Sequence, residues 1–119
     1  MIAVELPWPP SALRPNASSP GNWRPKQQAA KAYKVDCVIM CRAAGVPRLP
    51  DAHSLHLTVR FCPPDRRRRD LDNMLAAIKQ GLDAVSEAVG IDDSNFGLTL
   101  LRGEPCKPAK VVVMIGEGD

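Results

Sequence analysis

Apolar and polar residues alternate most cleanly where Leu55, Leu57, Val59 and Phe61 interleave with His56, Thr58, Arg60 and Cys62. A period of two sends alternate side chains to opposite faces, so this stretch predicts a half-buried strand. Pro63-Pro64 end it, since proline donates nothing to a sheet ladder. From about Lys26 to Ala44 the pattern changes, and Ala30, Tyr33, Cys37, Met40, Cys41 and Ala44 recur at the spacing of an amphipathic helix. Pro25 suits the first turn of that helix and Gly45 its end. A second helix is predicted from near Asp70 to Gly90, with an apolar stripe of Leu71, Met74, Leu75, Ile78, Leu82, Val85 and Val89. Gly90 supplies its left-handed cap and Ile91 folds back on its last turn. Ile2 to Leu6, Phe96 to Leu101 and Lys110 to Ile115 read as three further strands, the first closed by Pro7-Trp8-Pro9-Pro10. The order β-α-β-α-β-β predicts an α+β, two-layer fold, a four-stranded mixed sheet with two helices on one face. The strand order is left open by the crossover rules.

A chain of 119 residues is about one domain, here taken as 1–119. Its net charge of +3 is modest, but the distribution is uneven: residues 1–69 carry a net +8 and residues 70–119 a net −5. That asymmetry is expected where one part attracts a polyanion and another holds a cation. There is no run of 18 apolar residues, and the N-terminus lacks the basic and apolar regions of a signal peptide, so we expect a soluble cytoplasmic protein without membrane contact. The spacing of Cys37, Cys41, Cys62 and Cys106 shows no disulfide framework and argues for reduced thiols, with Cys37 and Cys41 on one helix face. His53 and His56, at i, i+3 on a strand, would face opposite sides, which disfavours structural zinc. Residues 11–24 form a long irregular stretch that nonetheless carries Arg14, Trp23 and Arg24, and loops of this length are often functional.

The chemistry concentrates in Asp65-Arg66-Arg67-Arg68-Arg69-Asp70-Leu71-Asp72-Asn73. Arginine binds phosphate through a bidentate fork, and adjacent carboxylates are the ligands a hard cation such as Mg²⁺ requires. Together they point to metal-assisted chemistry on a phosphodiester. At 100° per residue, Asp72, Ala76, Lys79 and Asp83 fall within about 60° of one another on the second helix, one stripe beside the apolar face. Asp92-Asp93 follows the helix, which would span about 28 Å, so Asp93 joins the first pair only if the loop returns to the helix start of this or a second subunit. Each feature also has an ordinary explanation. Asp70 is a natural N-cap, Asp72 favours the helix dipole, Lys79 can pair with Asp83, Asp92 and Asp93 suit a turn, and Trp8 and Trp23 suit packing.

The ordered set Leu6-Pro7-Trp8-Pro9-Pro10-Ser11, Arg66 to Arg69 leading into Asp70-Leu71-Asp72-Asn73, and Ile91-Asp92-Asp93 resembles the RusA family of Holliday-junction resolvases over nearly the whole chain. The resemblance implies a Mg²⁺ site formed by Asp70, Asp72 and Asp93. The family prototype places a catalytic lysine where this chain has Ala76, and Lys79, one turn later, is expected to take its role. Ala12-Leu13 also stand where an asparagine is frequent, and the stretch to Trp23 is closer to phage-type members. The implied function is a Mg²⁺-dependent, structure-selective endonuclease, with Mn²⁺ as a substitute, that resolves four-way DNA by paired symmetric nicks in recombination and repair. Arg66 to Arg69, Arg14, Arg24 and Lys26 are expected to hold backbone phosphates. Two strands related by a twofold axis call for a C2 homodimer. Without metal, three clustered carboxylates would repel one another and raise their pKa values. The alternatives are a non-catalytic junction-binding module, which Ala76 favours, and a metal-dependent nuclease of other branched DNA.

Overall fold

A computed structural model describes residues 2–13 and 24–117. Four strands, β1 (Ile2–Pro7), β2 (Leu55–Cys62), β3 (Phe96–Arg102) and β4 (Lys110–Glu117), form one sheet in the order β1-β4-β2-β3. β4 is antiparallel to both β1 and β2, while β2 and β3 run parallel. Parallel neighbours need a crossover, supplied here by helices α2 (Leu71–Ala77) and α3 (Lys79–Val89). The remaining helix, α1 (Arg24–Ala43), links β1 to β2. The expected α+β fold with a four-stranded mixed sheet is therefore the one observed.

Register explains the core. Val4 and Leu6 of β1 pair with Val113 and Val111 of β4, which pair in turn with Val59 and Phe61 of β2. All six are buried, so one face of the sheet is continuously apolar. Against it pack Tyr33, Cys37 and Cys41 of α1 and Ala84, Val85 and Val89 of α3, with Ile78 between α2 and α3. The Tyr33 hydroxyl donates to the Pro7 carbonyl at 2.8 Å, which pins α1 to the end of β1. Burial pushes the Cys37 thiol up to about 12, and all four cysteines are free thiols. Of the expected α1 core, Met40 is exposed, at 36%, and Ala44 lies past the helix end. His53 precedes β2, and His56 meets the Thr99 hydroxyl at 2.7 Å.

The second helix departs from expectation. The apolar stripe is continuous in sequence, yet the helix breaks at Ile78, whose φ of −103° and ψ of 17° leave the helical region. Close packing accompanies the break: Gly81 lies so near β1 and α1 that a Cβ there would meet Leu6 Cδ1 at 3.0 Å and Cys37 Sγ at 3.5 Å. Gly90 adopts the left-handed cap, with φ of 78°, and Ile91 is buried beside the core as the sequence predicts. Among the described residues no helix is long and apolar enough to cross a membrane.

Candidate functional site

The connection from β2 to α2 carries the arginine run to the start of a helix. Asp70 occupies the N-cap position of α2, with extended backbone, but its side chain makes no capping hydrogen bond. Its carboxylate is therefore not occupied in the role that most often explains such a residue. Asp72 lies in the first turn, and both side chains are exposed. Among the described residues, neither enters an ion pair.

The four arginines have different environments. Arg69 folds inward, its side chain only 18% exposed, and its guanidinium donates to Asp65 Oδ1 at 2.9 Å and to the carbonyls of Asp65 and Arg67. It also lies 5.7 Å from the centre of the Trp8 ring, a cation–π contact that ties the Pro-rich segment after β1 to this loop. Trp8 packs edge-on against Phe61, so Arg69 is linked through it to the core. The bonds from Arg69 and the Arg67 amide hold the Asp65 carboxyl below the usual carboxylate range. Arg66 reaches Glu104 at 3.3 Å in a fully solvated pair, and Arg67 and Arg68 are exposed. Arg24 and Lys26 open α1, and Arg14 and Trp23 lie outside the described residues.

Asp93 is placed at the other end of the sheet. β2 and β3 are in register from Leu55 beside Phe96 to Phe61 beside Arg102, and Arg102 donates to the Arg69 carbonyl at 2.6 Å. Asp70 thus lies at the Arg102 end of β3, whereas Asp93 immediately precedes Phe96 in a short 3₁₀ turn, Asp93–Asn95. The strand between them accounts for about 20 Å at roughly 3.3 Å per residue. The loop after α3 does turn back, held by the Ser86 hydroxyl donating to the Ile91 carbonyl at 2.6 Å, but it returns only as far as Asp83. Burial and the adjoining Asp93 carboxylate push the Asp83 carboxyl above its ordinary value, against the opposing pull of Lys34 and Lys79. Asp92 is a turn residue, its carboxylate accepting from the amide and hydroxyl of Ser94.

The three sequence-predicted aspartates are consequently not gathered within one subunit. Among the described residues, no group of three or more histidine, cysteine, aspartate or glutamate side chains is arranged to hold a metal ion. The donor chemistry still fits a hard cation, because Asp70, Asp72 and Asp93 all offer carboxylate oxygens. Lys79 sits at the start of α3, between the two acidic positions along the crossover. Two charged residues of this region carry more weight than their sequence context indicated. Asp83 shares a stripe with Asp72 and Lys79 but reads there as a partner for Lys79. Lys34 offers no local signal, since its neighbours Asp83 and Glu87 lie about fifty residues away, with Glu87 at 2.6 Å.

An uncharacterised protein of Xylella fastidiosa is 36% identical to this chain over 118 residues, an alignment covering 97% of this chain and 76% of that protein. No family model matches the chain.

Proposed function

The chain belongs to the same family as that Xylella protein, and from its residues we propose that it is a Mg²⁺-dependent, structure-selective DNA endonuclease that resolves four-way junctions as a C2 homodimer. The observation that carries this reading is the delivery of Arg66 to Arg68 to a helix start whose two carboxylates, Asp70 and Asp72, cap nothing and pair with nothing described. The resemblance to RusA resolvases supports the same assignment and supplies the third ligand, Asp93.

Because Asp93 lies at the far end of the parallel pair, an antiparallel second copy is the simple way to complete the site. Asp70 and Asp72 of one subunit would then hold Mg²⁺ with the partner's Asp93, twice in the dimer, matching two strands to be cut. When bound, the cation would activate water and neutralise charge developing on the phosphate. Lys79 would hold the phosphate oxygens electrostatically, and Arg66, Arg67 and Arg68 would position the arms through sequence-independent contacts. Arg69 would orient the loop from within. The separation of the aspartates in one chain also favours a second reading, a junction-binding module without catalysis.

The two readings part in one assay, incubation of a labelled four-way junction and a linear duplex of the same sequence with and without Mg²⁺. The nuclease reading expects paired nicks in the junction alone, lost in Asp72→Asn while binding persists. Binding that ignores Mg²⁺ and never leads to a nick would establish the module instead.

A further inference from the structure

A groove of about 620 Å³ opens where the first turn of α1 faces the break between α2 and α3. Its two walls carry the same chemistry. α1 contributes Lys26 beside Gln27, and α3 contributes Lys79 beside Gln80. The rest of the lining is apolar, formed by Ala30, Ala76 and the buried Leu13. The volume lies within the range of small-molecule sites. Ala76 follows Asp72 by four residues on α2, so Asp72 lies one turn along the same face from the groove.

We infer that this groove binds one unpaired nucleotide of the DNA and that Gln27 and Gln80 select its base. This rests on the DNA-directed reading above and adds a determinant of sequence preference to it. Each part of a nucleotide finds its complement: the phosphate meets two ammonium groups, the flat base meets alanine and leucine, and the base edge meets two amides. A carboxamide donates and accepts at once, so it distinguishes bases by the order of donors and acceptors on their edges, which lysine cannot do. An ordinary anion site would need the lysines but neither the apolar floor nor the amides. The small Ala76 also gains a purpose, since a long side chain there would project into the space the nucleotide takes.

The test follows the side-chain amide resonances of Gln27 and Gln80 by NMR in the intact protein without metal. Four single-stranded deoxytetranucleotides, one for each base, are titrated in turn beside inorganic phosphate. Both amides are expected to shift saturably, with one base bound about tenfold more tightly than the weakest, and with that preference abolished in Gln27→Leu/Gln80→Leu. Both positions are solvent-accessible, and an unchanged melting temperature would verify that the variant is folded. Silent amides, shifts equal for all four bases, or equal shifts with phosphate alone would overturn the inference. Junction cleavage separates this from the nuclease reading. Base-selective binding without cleavage would sink only the nuclease, and cleavage with silent amides would sink only the groove.

Discussion

Arg69 shows how far a residue's role depends on what its neighbours in space do. Four consecutive arginines look equivalent in sequence, and a run of like charge carries no sign of which member turns inward. Trp8 makes the difference, sixty residues earlier, by offering Arg69 a ring face. Arg69→Ala should therefore lower stability by about 2–4 kcal/mol, the scale of a cation–π contact plus a charged hydrogen bond, in urea denaturation. Arg68→Ala should leave stability within about 0.5 kcal/mol and reduce the salt dependence of junction binding by about one unit of slope. The partner Asp65 adds a pH signature. Its carboxyl is held low in the folded protein, so the unfolded chain takes up the proton first as pH falls. The stabilisation is complete above the ordinary carboxylate range and disappears as pH drops through the lowered value. Asp65→Asn should thus melt earlier than wild type at pH 7, and the two melting curves should converge in acid; a gap that persisted in acid would remove the ion pair as its cause.

Elements were largely legible because their periodicity is strong. The alternation in β2, the three-and-four spacing in α1 and the cap at Gly90 all follow from local stereochemistry, and all are found at or within a few residues of the expected boundaries. The break at Ile78 was not legible. No proline or glycine occupies it, and the apolar stripe runs through it unbroken, because Ile78 itself is fully buried. What accompanies it is tertiary, the close approach of Gly81 to Leu6 and Cys37, and a helical wheel contains no such information. At the other end of α3 the cap is set by Gly90. Gly90→Ala places a side chain at a φ of 78° and should cost about 1–2 kcal/mol, read as a lower urea midpoint with an unchanged slope. The Arg48 guanidinium, which a Cβ there would meet at 2.7 Å, is the flexible end of a side chain and can move aside.

At the scale of the molecule, the decisive fact is that β2 and β3 are parallel. One sequence motif thereby lies at one end of the sheet and the second acidic motif at the other, a separation that the sequence anticipated only as a long helix to be spanned. Asp70 and Asp72 are singled out by their spacing beside arginines and Asp93 by the resemblance, whereas the pairing of Asp93 with Asp83 depends on how the loop after α3 packs. Completion of the carboxylate site between two subunits is open to a complementation test. Asp72→Asn and Asp93→Asn chains, co-expressed with different tags and purified as a heterodimer, retain one intact site if Asp93 acts in trans and none if it acts in cis. Each variant alone should be inert toward a four-way junction in Mg²⁺, wild type should nick two strands symmetrically, and the heterodimer should nick one. An inert heterodimer beside an active wild type would place all three aspartates in one subunit, and a wild type that binds the junction without nicking it would rule out the nuclease altogether.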